Sequence, residues 1–225
     1  MSKRFLCALL ALTLALACTS GPAFAVEPPN LYPQKLELMA YVNSGEYAKD
    51  VAAVALRANK YLVKRSPRGA KGKKMAVVFD IDETTLTNLR QILANDFGYV
   101  PKVWESWVAE GRAPAVIPVQ IIYDTAVRNK VDVFFITGRR ESDRPSTEKN
   151  LREVGYETWT KIYFKPEAEP DQPPLSARGF KIDVRRTLVK EGYVIIANIG
   201  DQDSDLAGGY AQRTFKLPNP FYIVK

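Results

Sequence analysis

Asp80-Ile-Asp82-Glu-Thr84 puts two carboxylates and a hydroxyl at alternate positions, directly after an apolar run at residues 75–79. Two acids leaving one turn can divide labour, one attacking or holding a cation while the other handles a proton. Asp and Thr also suit an ordinary capping turn, so this pattern alone leaves both roles open. A second apolar run, 131–136, ends in Thr137-Gly138-Arg139-Arg140. A hydroxyl, the amides of a glycine-containing turn and a guanidinium are what a phosphate oxygen requires. A third run, 193–199, ends in Gly200-Asp201-Gln202-Asp203-Ser204-Asp205, three alternating carboxylates. They do not make an EF-hand. Counting from Asp201, the sixth and twelfth positions are Leu206 and Gln212, where the calcium loop needs Gly and Glu. A hard cation at this loop therefore needs carboxylates from another strand end, and Asp80 and Asp82 offer them.

Composition narrows the chemistry. The 225 residues include no His, which removes Ser-His-Asp triads, HExxH zinc sites and phosphohistidine enzymes. Both cysteines, Cys7 and Cys18, fall in the first 25 residues. There, Lys3 and Arg4 precede an apolar stretch at 5–17, and Ala23-Phe24-Ala25 follows, the order of a secretory signal peptide cleaved after Ala25. The stretch is short for a membrane span. Lipidation at Cys18 is the weaker alternative, since Ala15 stands where bacterial lipidation signals usually carry Leu. The expected chain is thus 26–225, exported to the periplasm or medium, without thiol or disulfide and with no membrane span. It carries two fewer positive charges than the +7 of the whole sequence, a surplus that favours anionic partners without naming one.

With no imidazole and no thiol, a covalent route needs a carboxylate, hydroxyl or amine nucleophile. A carboxylate attacking a phosphate meets severe charge repulsion unless a cation and a lysine neutralise the site.

The elements that position these groups read as α/β. Four near-continuous apolar strands, at 75–79, 131–136, 161–164 and 193–199, alternate with helical patterns near 118–129, 143–154 and 178–191. That rhythm predicts a Rossmann-like parallel sheet with helices on both faces. Ligands of such sheets bind beyond the carboxyl ends of the strands, where the three acidic or polar segments fall. The last helix must run back down the sheet to reach residue 193, so Lys181, near its start, lies at the same edge. An N-terminal helical segment at 31–65, broken near Gly45, precedes the sheet. A basic connector at 65–74 lacks the GxxxxGK[ST] of a phosphate loop and, without interleaved aromatics, gives little support for a nucleic-acid polymer as partner. Residues 87–114 interrupt the rhythm with Phe97, Tyr99, Trp104 and Trp107, a small cap insertion whose rings either stack on substrate or form the cap's own core. Residues 166–174 read as a loop.

Taken in order, Phe79-Asp-Ile-Asp-Glu-Thr-Thr-Leu86, Thr137-Gly-Arg139, Phe180-Lys181 and Asn198-Ile-Gly-Asp-Gln-Asp-Ser-Asp-Leu206 resemble the four motifs of the haloacid dehalogenase superfamily. More narrowly they are similar to its acid phosphatase branch, which includes bacterial secreted enzymes and plant vegetative storage proteins. The likeness extends over about residues 31–225, including the segment from Arg213 to Pro220. It implies a phosphatase acting on small phosphomonoesters, with Asp80 as nucleophile, Asp82 as acid/base, and Thr137 and Lys181 on the phosphate. Mg2+ would be held by Asp80, the Asp82 carbonyl and Asp201, with Asp205 supporting Lys181 or a metal-bound water. Asp203 departs from the aromatic residue of plant members, and the intact Asp80 departs from storage members that lack it. The alternative expectation is a non-catalytic storage or ligand-binding protein on the same fold.

Overall fold

The computed structural model describes residues 27–167 and 175–224. The expected signal peptide and cleavage site and both cysteines lie outside the described residues, as does most of the 166–174 segment expected to be a loop. The chain divides into a short first unit ending at Leu31 and a main unit beginning at Tyr32, which carries everything below.

Five parallel strands form one sheet in the order β3-β2-β1-β4-β5: β1 Lys74–Phe79, β2 Asp132–Arg140, β3 Lys161–Lys165, β4 Tyr193–Gly200 and β5 Thr214–Lys216. Sequence periodicity gives four of them. β5 escapes it because it has three residues, of which only Phe215 is buried, too few to display an alternation. It is nevertheless a true edge strand, with Ile199 opposite Phe215.

Successive residues of the central strands face opposite sides. Val77, Phe79, Val133 and Phe135 point to one layer, built from α2 (Glu46–Arg65), α5 (Ile117–Arg128) and α6 (Arg144–Glu153). Ala76, Val78, Phe134 and Ile136 point to the other, closed by Phe180, Val184 and Leu188 of α7 (Ala177–Lys190). Helices therefore cover both faces. On β4 the register slips by one residue between Ala76 and Val77, so Ile196 and Ala197 both join the α2 side.

In α2 the buried residues Val51, Ala55, Ala58 and Leu62 recur at four, three and four, the stripe that a helix lays on a sheet. Gly45, at φ 79, separates α2 from α1 (Leu31–Asn43); glycine takes this left-handed angle without a Cβ penalty.

Between β1 and α5 the chain leaves and re-enters through a narrow neck. Thr87 donates its amide to the Pro114 carbonyl (2.9 Å), Val116 donates to Thr85 (2.9 Å), and Leu86 bridges Ala115 antiparallel. The excursion holds α3 (Leu89–Ala94) and α4 (Pro101–Glu110). The short α8 (Asp203–Leu206) follows β4.

Candidate active site

Four chain segments reach the carboxyl edge of the sheet and meet there. Asp80, the first residue after β1, still donates its amide to the Ile199 carbonyl of β4 (3.0 Å). Its own carbonyl accepts the Thr85 hydroxyl at 2.6 Å, and the amides of Thr84, Thr85 and Leu86 all converge on the Ile81 carbonyl. With Ile81 and Leu86 fully buried, the turn is anchored from below and its carboxylates are held upward at the strand ends.

Lys181, one turn into α7, donates to Asp80 and to Asp205, the latter at 2.6 Å. All three groups are at least 94% removed from solvent, with 4%, 6% and 2% exposure respectively. One oxygen each from Asp80, Asp201 and Asp205 lie within 4.8 Å of one another. Burial pushes the Asp80 carboxyl well up, and the charge of Asp205 adds to this, while Lys181 opposes it. Asp201 rises for the same leading reason, burial, followed by Asp205. Burial alone would discharge Lys181, but Asp205 and Asp80 reverse that and the ammonium is held more firmly than usual. The lysine stays charged, while burial and mutual repulsion disfavour ionisation of the carboxyls gathered around it, a cost that a bound cation relieves. Three hard oxygen donors grouped in a dry site suit a divalent cation such as Mg2+.

The other groups around the cluster are already committed. Asp201 accepts the Thr84 hydroxyl at 3.0 Å on one oxygen, and Gln202 Nε2 (2.8 Å) and Asn219 Nδ2 (2.6 Å) on the other. Asp205 caps its own helix by accepting the Gln202 amide at 2.8 Å. The buried guanidinium of Arg185 donates to the carbonyls of Asp205, Ala207 and Gly209, so α7 carries both Lys181 and the clamp on the loop after β4.

Gly200 is required by this packing. A Cβ there would lie 2.4 Å from the Asp205 Cβ and 2.5 Å from its Oδ2. Because Asp205 is fixed on both oxygens, it cannot step aside. Gly200→Ala is expected to lower stability by about 1–3 kcal/mol, as overpacking does, and activity with it. Thermal melts and kcat measured on one preparation check this; an unchanged pair would mean that the loop is looser than its hydrogen bonds indicate.

Asp82 faces a different set. Its Oδ1 accepts Arg139 Nη2 at 2.7 Å, Arg139 Nε at 3.1 Å and Asn88 Nδ2 at 2.9 Å, whereas Oδ2 has one 3.2 Å contact from Arg139 Nε. The remaining Arg139 nitrogen, Nη1, donates to Thr147 at 3.0 Å. The guanidinium read in the sequence as a phosphate ligand is thus occupied in orienting Asp82. Thr137 is fully buried, its hydroxyl accepting the Arg139 amide at 3.1 Å, and Gly138 lines the cavity above the cluster.

Asn88 joins the turn to the insertion. Besides Asp82 it donates to Glu83 (3.0 Å), and its oxygen accepts the Trp107 indole at 2.7 Å. Glu83, with a left-handed φ of 51, also accepts the Tyr222 hydroxyl at 2.9 Å. Burial first, and the charge of Asp82 second, push its carboxyl up to about 8. Glu83, Asn88, Arg185, Gln202 and Tyr222 are missing from the sequence-derived site; Asn219 falls within the segment from Arg213 to Pro220 noted there, without a role.

A cavity of about 510 Å3 opens over Asp80, Asp82, Lys181, Asp201 and Asp205. Phe97, Tyr99 and Trp104 of the insertion line it, opposite no single wall but together with Tyr222, Ile223 and Val224 near the end of the chain. The four aromatics of the insertion therefore divide: Trp107 is tied to Asn88 and packs on the core, and the other three reach the cavity. No helix among the described residues is long and apolar enough to cross a membrane.

Residues 3–225 match the family described as HAD superfamily, subfamily IIIB (Acid phosphatase). Acid phosphatase 1 of Solanum lycopersicum is 32% identical over 220 residues, 93% of this chain and 84% of that protein. Stem 28 kDa glycoprotein of Glycine max is 36% identical over 157 residues, and the chain spans 61% of its length. Vegetative storage protein 1 of Arabidopsis thaliana is 32% identical over 151 residues, 54% of its length. Among solved structures, the class C acid phosphatase from Bacillus anthracis superposes with a TM-score of 0.68 over 86% of each chain, at 24% identity, which establishes a common fold.

Proposed function

The chain belongs to subfamily IIIB of the HAD superfamily, the acid phosphatases, and on that premise we propose that it is an exported, magnesium-dependent phosphomonoesterase working through an aspartyl-phosphate. The observation that carries this reading is the buried Asp80–Lys181–Asp205 contact beside Asp201. A carboxylate nucleophile is useful only where its repulsion from phosphate is cancelled, and this cluster is built for that.

Asp80 attacks the phosphorus while Lys181 and the Gly138 amide region neutralise the phosphoryl oxygens, with Thr137 supporting that turn. Asp82 protonates the leaving oxygen and later takes a proton from the attacking water. We assign that proton to Oδ2, because Oδ1 is held by three donor contacts. Asp80, Asp201 and the Asp82 carbonyl, supported by Asp205, would hold Mg2+, which would supply positive charge beyond that of Lys181.

Export rests on the residue order of 1–25. Nucleotides are within the proposed substrate range because Tyr99 and Trp104 offer stacking faces in the cavity.

Phosphate release from p-nitrophenyl phosphate, with and without chelator, tests the proposal. Chelation is expected to cut turnover by about tenfold or more, and added Mg2+ to restore it. Full activity in a protein shown by elemental analysis to be metal-free would remove the cation from the account. No phosphate release under any metal condition would favour a storage role, the one that the names of two relatives state for those proteins.

A further inference from the structure

The cations that line the cavity differ in what they meet. Lys181 lies against Asp80 and Asp205, and Arg139 against Asp82. Lys165, the last residue of β3, lines the same cavity half-buried. Its main chain pairs with β2 at Arg140, but among the described residues its ammonium makes no ion pair and no hydrogen bond. Its charged neighbour is Arg140, a like charge, which itself turns toward Glu167 at 3.6 Å. Partial burial and Arg140 together push the ammonium's pKa down.

An ammonium drawn partly out of water beside another cation costs free energy that an anion would relieve. A lysine on a flexible four-carbon stem normally escapes such a position by reaching solvent. The reacting phosphate is already provided for by Lys181 and the turn after β2. Phe97, Tyr99 and Trp104 line the same cavity, so away from the carboxylate cluster the rest of the substrate meets rings and a positive charge that has no opposite partner among the described residues.

We propose that Lys165 is a specificity-determining residue that receives a second anionic group, a carboxylate or another phosphate, carried by the organic part of the phosphomonoester. This rests on the phosphatase reading for its substrate, so the test uses ligands that bind without turnover. The pairs are 4-carboxybenzylphosphonate with its carboxamide, and 3-phosphonopropanoate with its carboxamide, which give two spacings between the anions. Each is titrated calorimetrically into the Mg2+-loaded wild type, Lys165→Met, and the charge-matched surface variant Lys190→Met. In the wild type and Lys190→Met, at least one carboxylate should bind about five- to tenfold more tightly than its amide. In Lys165→Met that preference should fall to within about twofold, while p-nitrophenyl phosphate, which has no second anion, is turned over as in the wild type. A carboxylate preference that survives in Lys165→Met, or that neither pair shows in the wild type, would overturn the proposal. Absence of turnover with an intact Lys165-dependent preference would instead remove the catalytic reading and keep the anion site.

Discussion

Asp80→Asn is expected to lose about four or more orders of magnitude in turnover while keeping the fold, because it removes the proposed nucleophile with almost no change of shape. Its stability should move the other way. Asp80 is a buried carboxylate whose ionisation is disfavoured, first by desolvation and then by Asp205, with Lys181 compensating only in part. A neutral amide of equal size removes that cost, and Lys181 keeps its 2.6 Å contact with Asp205. In metal-free buffer at neutral pH the variant should therefore melt no lower than the wild type, and above it as the pH rises. Loss of activity together with a large fall in Tm would instead make Asp80 a structural residue.

Lys181→Met is expected to fail on both counts. It leaves Asp80 and Asp205 buried without their shared cation, a change of the kind that costs about 3–5 kcal/mol when one partner of a buried ion pair is removed. The loss should depend on pH with a definite sign. A carboxyl whose folded pKa is raised contributes stability that is present below its unfolded pKa, near 4, and lost as the pH climbs through the folded value. Asp80 is already raised, and Lys181 is the influence holding it down. The Tm gap between wild type and Lys181→Met should accordingly widen from pH 5 to pH 8, and thermal melts across that range measure it. A gap independent of pH would mean that the lysine contributes packing rather than charge.

These expectations concern residues that could be read from the sequence, for a physical reason. A parallel sheet delivers whatever follows each strand to one edge, so chemistry-bearing residues after three apolar runs, and a lysine at the start of the returning helix, had to converge. Their supports were not legible in the same way. Tyr222 reaches Glu83 across 139 positions, and Asn219 reaches Asp201 across 18, through contacts that exist only once the chain is folded. Arg185 looks in the sequence like any surface arginine of an amphipathic helix, yet its guanidinium is bound by three carbonyls. Trp104 and Trp107 stand three apart on α4, a spacing that puts them on neighbouring parts of one face. In the folded chain Trp107 turns to Asn88 and the core, whereas Trp104 lies under Arg139 and lines the cavity. β5 is hidden for the opposite reason, since three residues show no period at all.

The central claim is that Asp80 carries the phosphate during turnover. Borohydride reduces an acyl phosphate but not a free carboxylate, so it converts a phosphorylated aspartate to homoserine. Wild-type protein quenched during hydrolysis of p-nitrophenyl phosphate, reduced, digested and analysed by peptide mass spectrometry should show homoserine at position 80. The modification should require substrate and should not appear at Asp82, Asp201 or Asp205. Rapid phosphate release with residue 80 unmodified, or with homoserine at one of the other aspartates, would contradict the account.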